Sequence, residues 1–321
     1  MNVSVFGCGR WGSFIAWYLN KIGKNVILWG RPESSRLKKL INERKNEWLE
    51  IDQKINITDD LKYAAEKSEI ILISISAQAL SNFMENLKNT GVNLNNKIFV
   101  LCMKGIEEKT GRRLSEIVKD YIGNDANVAV WVGPGHVQDF VAGTPNCMII
   151  DSEKEKIKKM LVKEFSSPLI RFYYGSDLIG SEIGAASKNV MGIAAGILDG
   201  LKFESLKGAL MSRGTYEISK LIKAMGGNEI SAYGLAHLGD YQATLFSQHS
   251  NNRKFGEMLA LGQPYNKLAE GVYTSFALLK LGEKYGADLP ICAAVNHAIK
   301  EKNATKKMIT DLFLRSIKNE F

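Results

Sequence analysis

The sequence predicts an α/β chain in which a doubly wound, mostly parallel sheet is followed by an all-helical carboxyl-terminal half. Three observations predict it. Short apolar runs alternate with helix-length segments through the first half, the pattern of a parallel sheet covered on both faces. The first of these runs ends in three glycines within six positions, Gly7, Gly9 and Gly12. Near Gly175 the strand-like runs stop, and from Ser181 onward helical periodicity continues, broken by glycines at 226–227, 239, 262 and 286.

The elements follow in order. "VSVF" and "NVILWG" read as buried parallel strands, with a helix over Ser13–Ile22 between them. "EIILISIS" (69–76), "KIFVLCM" (97–103), "NVAVWVG" (127–133), "NCMIID" (146–151) and "LIRFYY" (169–174) read the same way. Ala77–Lys88 and Thr110–Tyr121 are helix-length connections, and "EKEKIKKMLVKEF" (153–165) is an amphipathic helix with a solvated charged face. There is no internal repeat and no low-complexity segment.

The opening glycines form a G-x-G-x-x-G motif that follows a strand, opens a helix and precedes a second strand at βαβ distance. Gly7 makes the turn, Gly9 lets the backbone approach a phosphate, and Gly12 lets the helix pack on the strand. The helix N-terminus then offers N–H groups and a partial positive charge to a pyrophosphate. The expected fold is therefore Rossmann-type, with a dinucleotide-binding domain over 1–178 and a helical substrate domain over 179–321. A length of 321 residues suits two domains. After the second strand the chain reads "LWGRPESS". Arg31 precedes Glu33 there, and a planar guanidinium suits a 2′-phosphate, so the cofactor expectation is NAD(P) with a slight lean to NADP.

Two lysines are candidates for chemistry. Lys188 is the one charged residue in "IGAASKNVMGIAAGIL" (183–198). A lysine buried among alanines and glycines needs partners or a function, and desolvation would make it a usable proton donor and acceptor. Lys104 follows an apolar strand directly, at the carboxyl edge where open α/β sheets bind ligands.

Bulk properties narrow the field. Charged residues are 24% of the chain and the net charge is +8, modest for this length and suited to a solvated lysine-rich surface. No arginine block alternates with aromatics, so nucleic acid is not expected. No membrane-length apolar segment or basic-then-apolar leader is present, so membrane insertion is not expected. Cys8, Cys102, Cys147 and Cys292 are scattered without metal-ligand spacing, which suits a reducing cytoplasm and gives no metal site. The four histidines form no metal-ligand pattern; His237 and His297 read as structural.

With these residues in hand, the chain resembles the bacterial NAD(P)-dependent glycerol-3-phosphate dehydrogenases nearly end to end. "GCGRWGS", "MKGIEEKTGRRLSEI", "GPGHVQDFVAGTPN", "GASKNVMGIAAGILDG", "HLGDYQAT", "NNRKFG" and "AEG" at 269–271 match that family's segments in order. The resemblance implies that Lys188 is the general acid/base on the substrate carbonyl and that Lys104 polarises or orients the same oxygen. It implies that Asp240 lies near Lys188, where it would hold the ammonium and oppose any loss of its proton. Asn189, Thr244, Gly133, His136, Asn252 and Arg253 are the implied substrate-side residues. Gly7, Gly9, Arg10, Trp11, Gly12, Arg31, Lys104, Val137, Arg253 and Glu270 are the implied cofactor-side residues. Catalysis is expected in a cleft between the domains, with a small phosphorylated substrate and, as an open option, a homodimer.

Three departures qualify the match. Asn251 stands where the family usually carries an arginine on the substrate phosphate, a loss of about 1.5–3 kcal/mol of charge-assisted bonding. Lys207, Arg253 or Lys254 would then have to take the phosphate. Gly135 replaces a serine or threonine after the glycine-proline pair, and "DGLKFESLKGALMSRG" is one residue short. The alternative expectations are the same hydride chemistry on a related small hydroxy or keto compound, and a non-catalytic redox sensor.

Overall fold

The computed structural model describes residues 1–301, 305–317 and 319–320. The chain divides into two compact units, one of residues 1–104 and 112–182, the other of 105–111 and 183–321.

The first unit is built on β1 (Asn2–Phe6), α1 (Arg10–Lys21), β2 (Asn25–Trp29), α2 (Ser35–Glu43), β3 (Asn56–Thr58), α3 (Leu61–Glu66), β4 (Ile70–Ile73) and α4 (Leu80–Asn89). It continues through β5 (Ile98–Leu101), α5 (Leu114–Ile122), β6 (Asn127–Val132), α6 (Val137–Val141), β7 (Asn146–Asp151), α7 (Glu155–Phe165) and β8 (Ile170–Tyr174). The strands form one sheet in the order β3-β2-β1-β4-β5-β6-β7-β8. The order reverses between β1 and β4, which places the end of β1 at the switch point of a doubly wound sheet. Pairing is parallel except between β6 and β7, where Trp131 faces Ile150 in antiparallel register. β8 is an edge strand, so Ile170 and Phe172 are buried while Tyr173 and Tyr174 are exposed. That alternation over residues 170–173 replaces the wholly buried pattern expected for the strand.

Local rules account for the other differences. α1 begins at Arg10, three residues before the expected start, because the loop itself supplies the N-cap at Gly9. α5 begins only at Leu114: Gly111 has φ +74, and Glu116 accepts from the Arg113 amide at 2.7 Å to cap the helix start. Residues 77–79 form a 3₁₀ turn ahead of α4. The three-residue β3 and the short α3 and α6 are too brief to show a period.

The core of this unit packs α1 on the sheet. Phe14, fully buried, stacks on Phe140 at 5.0 Å, and Trp131 meets Phe172 edge-on at 4.8 Å. Burial of each such ring contributes roughly 1.5–3 kcal/mol.

The second unit is helical. α8 (Leu178–Gly200) is followed by α9 (Lys207–Ala224), α10 (Asn251–Ala260), α11 (Glu270–Tyr285), α12 (Pro290–Lys300) and α13 (Thr305–Phe313). Residues 183–198 of α8 are buried throughout, as expected of a helix apolar on all sides. Its glycines let α10 come close: a Cβ on Gly196 would lie 1.9 Å from the Arg253 carbonyl oxygen. Among the described residues no helix is long and apolar enough to cross a membrane.

Candidate active site

The glycine loop is shaped by what its residues lack. Gly7 turns at φ +116, and a Cβ there would lie 2.2 Å from the Ser74 carbonyl oxygen at the end of β4. A Cβ on Gly12 would lie 1.8 Å from the Gly7 oxygen. Packing inside the unit therefore demands both. Gly9 differs: its backbone is ordinary (φ −75, ψ −174), and a Cβ would meet nothing nearer than Arg36 Nη1 at 3.7 Å. As N-cap of α1 it provides no side-chain cap. The first-turn N–H groups lack helical partners and no side chain covers them from Gly9. Such a cradle fits a diphosphate.

The side chains around the loop are arranged as follows. Arg10 donates to Gln138 Oε1 and lies 5.6 Å from the Trp48 ring centre; burial lowers its pKa. Trp11 packs on Phe14 and Phe140 at 5.0 and 6.3 Å. Arg31 is largely exposed, its Nε 3.3 Å from Glu33. Arg36, which sequence reasoning passed over, lies beside Gly9. Burial pushes the Cys8 thiol up while Ser34, Arg36 and Arg31 pull it down, so both guanidinium fields reach the loop.

Lys104 lies just beyond β5 and donates to the Gly133 carbonyl at 2.7 Å. The glycine-proline loop explains one departure. Gly135 has φ +143, and a Cβ there would lie 2.3 Å from Phe140 Cε2, so the ring that stacks on Phe14 occupies the place of a serine side chain. His136 stands at the N-cap position of α6 without a side-chain cap bond and is half-buried, while the Val137 side chain is buried in the core.

In the helical unit Lys188 is 8% exposed. Its Nζ lies 2.9 Å from Asp240 Oδ2 and donates to Thr244 Oγ1 at 2.8 Å. Thr244 Oγ1 in turn donates to the Asp240 carbonyl at 2.8 Å. Asp240 closes a 3₁₀ turn over Leu238–Asp240, and Thr244 lies in a single π-turn over Gln242–Phe246. A buried carboxylate at this distance favours the ammonium, the form able to give a proton to a carbonyl oxygen.

Asparagines lace the neighbouring helices. Asn252 donates to Asn189 Oδ1 at 3.0 Å and accepts from the Gly271 amide at 2.9 Å, joining α10 to α8 and α11 beside Glu270. Arg253 Nη1 is paired with Asp199, and its Nε donates to the Ser247 carbonyl at 3.1 Å. Lys207 Nζ lies 2.6 Å from the same carboxylate. Two of the three cations expected to replace the missing arginine are therefore paired within the protein. Asn251 accepts from the Tyr265 hydroxyl at 3.0 Å, and Lys254 is exposed.

Both halves of the chain match sequence models of one family. The amino-terminal model of NAD-dependent glycerol-3-phosphate dehydrogenase covers residues 2–158 and the carboxyl-terminal model covers 177–310. The chain belongs to the NAD-dependent glycerol-3-phosphate dehydrogenase family. It is 33% identical to glycerol-3-phosphate dehydrogenase [NAD(P)+] of Fusobacterium nucleatum over 332 residues, 100% of this chain and 98% of that protein. It is 34% identical to the protein of that name from Thermoanaerobacter sp. over 331 residues, 100% of this chain and 99% of the relative. Among solved structures, glycerol-3-phosphate dehydrogenase from Coxiella burnetii aligns with a TM-score of 0.89 at 27% identity, over 98% of this chain and 99% of that one.

As a dehydrogenase-family chain it carries features that the motifs did not disclose. Arg36 follows Arg31 by five residues, and the repeated cation in "RPESSR" was a readable signal. His237 and Tyr241 are both fully buried and bonded to each other. Their spacing of four was visible, but nothing local linked them to Lys188.

Proposed function

We propose that the chain interconverts dihydroxyacetone phosphate and glycerol 3-phosphate, with NAD(P)H as hydride carrier. The observation that carries this reading is Lys188, a buried ammonium held by Asp240 and Thr244 in a chain whose two halves match the family. When bound, the nicotinamide supplies the hydride. The chain's own residues do the rest. The 7–12 loop and the start of α1 hold the diphosphate through backbone N–H groups. Arg31 and Arg36 accommodate a 2′-phosphate, which supports the lean to NADP. Lys188 Nζ gives its proton to the substrate carbonyl oxygen as charge develops there, and takes it back in the reverse direction. Asp240 and Thr244 aim the ammonium, and Lys104, tethered to Gly133, orients the same oxygen. Asn189 and Asn252 present amide groups to substrate hydroxyls. The reduced, scattered cysteines support a cytoplasmic location.

A second reading, the same chemistry on a related hydroxy or keto compound, is favoured by one observation. Asn251 stands at the phosphate position while Arg253 and Lys207 are bound to Asp199. Rates of NADH and NADPH oxidation across phosphorylated and unphosphorylated ketones separate the two. Dihydroxyacetone phosphate is expected to give the highest kcat/KM. An unphosphorylated ketone ranking first would install the second reading, and cofactor binding without turnover of any ketone would leave a redox sensor.

A further inference from the structure

We propose that His237 and Tyr241 form a buried clasp that positions Asp240 and Thr244 on Lys188, making both of them positioning residues for the reaction. This rests on the reading of Lys188 given above. Asp240 and Thr244 belong to a 3₁₀ turn and a π-turn, short elements whose own hydrogen bonds hold geometry weakly. Something else must fix their distance from α8.

The spacing supplies it. Residues 237 and 241 are four apart, as are 240 and 244, so the segment presents two interleaved pairs. One pair holds Lys188. The other is tied into the neighbouring helices. His237 Nδ1 lies 2.8 Å from the carbonyl oxygen of Gly184, one helical turn before Lys188. Its Nε2 lies 2.7 Å from the Tyr241 hydroxyl, with the rings edge-on at 4.8 Å. A carbonyl oxygen only accepts, so Nδ1 carries the proton. In a neutral imidazole Nε2 then accepts from Tyr241. Burial drives the His237 pKa down to about 4, which keeps the ring neutral and this single proton arrangement in place. The Tyr241 hydroxyl also packs against α9 at Gly214, where a Cβ would lie 3.3 Å from it. The backbone transmits the tie: the Asp240 amide donates to the His237 carbonyl at 3.0 Å, and the Thr244 amide to the Tyr241 carbonyl at 3.0 Å. Both rings are fully buried, so no water competes for these bonds.

Two readouts on the full chain test the clasp. The first is the rate at which an amine reagent labels Lys188, read by peptide mass; it does not depend on the substrate. Tyr241→Phe and His237→Ala are expected to speed labelling about 10-fold or more by loosening the ion pair, as misplacement of the order of 1 Å changes reactivity steeply. His237→Asn, whose Nδ2 can still donate to Gly184, is expected to restore most of the protection. Unchanged labelling in folded Tyr241→Phe would overturn the clasp. The second readout is kcat for dihydroxyacetone phosphate in a double-mutant cycle with Lys188→Ala. Tyr241→Phe is expected to lower kcat about 10-fold in the parent, with KM for NADPH unchanged, and to add nothing in the Lys188→Ala background. The same loss in both backgrounds would show a general structural effect and overturn the proposal. Faster labelling in Tyr241→Phe, together with a parent that reduces no ketone, would instead defeat the functional reading and leave the clasp standing.

Discussion

The glycine loop of the first unit and the Lys188 cluster of the second are built by opposite means. The loop works by omission: Gly7 and Gly12 exist because neighbouring backbone fills the space of a side chain, and Gly9 because nothing does. The cluster works by assembly, with an ammonium from α8 and a carboxylate and hydroxyl from residues more than fifty positions away. A backbone site is dictated locally and tolerates almost no substitution. A side-chain site depends on whatever holds its members together, and can be loosened by degrees.

The first way to break the comparison is at the glycines. Gly7→Ala and Gly12→Ala force a Cβ against main-chain oxygen and are expected to destabilise the protein by about 3 kcal/mol or more, read as a fall in Tm. Gly9→Ala meets only the end of a flexible arginine, so Tm is expected to change little while NADPH affinity falls about 10- to 100-fold, or about 1.4–2.8 kcal/mol. Equal NADPH affinity in Gly9→Ala and parent would show that no phosphate approaches that backbone.

Asp240→Asn sharpens the other side. Removing one partner of a buried ion pair is expected to cost about 3 kcal/mol in stability. Without the carboxylate the Lys188 ammonium is no longer held at its place, so kcat for ketone reduction is expected to fall about 10-fold or more, checked by steady-state rates. Cofactor affinity should hold.

A third test uses two buried groups of the helical unit with opposite linkage. Burial raises the Glu217 pKa from 4.5 to about 7, against the Cys292 and Ile291 amides that bond its carboxylate, and lowers that of His237 from 6.5 to about 4. Folded Glu217 keeps its proton where the unfolded chain has lost it, so its contribution falls as pH rises from about 4.5 to 7. Folded His237 stays neutral where the unfolded chain is protonated, so its contribution falls as pH drops from about 6.5 to 4. The two oppose each other across the shared window. Glu217→Gln is expected to leave the histidine slope alone, giving a variant whose Tm, relative to the parent, rises with pH between about 4.5 and 7. A parallel pair of curves would contradict the assignment.

The smallest effect is expected at Arg31, exposed and paired with Glu33. Arg31→Ala should shift the NADPH:NADH preference only a few-fold, since exposed charge pairs contribute about 0.2–1 kcal/mol. Arg36→Ala, beside Gly9, should shift it more.

Much of this was legible in the sequence for physical reasons. Strand–glycine–helix spacing reports backbone constraints that act within a dozen residues, so the loop and the alternating strands could be read directly. The lone Lys188 in a run of alanines and glycines signalled burial, because an unpaired lysine is costly there. The antiparallel β7, the exposed face of β8 and the start of α5 at Leu114 were not legible, since they follow from sheet position and from a cap. The His237–Tyr241 tie was hidden for a similar reason: its neighbours, Gly184 and Gly214, lie on helices that only packing brings near. The commitment of Arg253 and Lys207 to Asp199 likewise follows from the packing of α8, α9 and α10, which sequence spacing does not give.

The most direct test of the central claim is Lys188→Ala, with kcat for dihydroxyacetone phosphate and the NADPH Kd measured on the same preparation. The account expects kcat to fall about 10²- to 10⁴-fold while Kd stays within about threefold. Turnover preserved in that variant would contradict it.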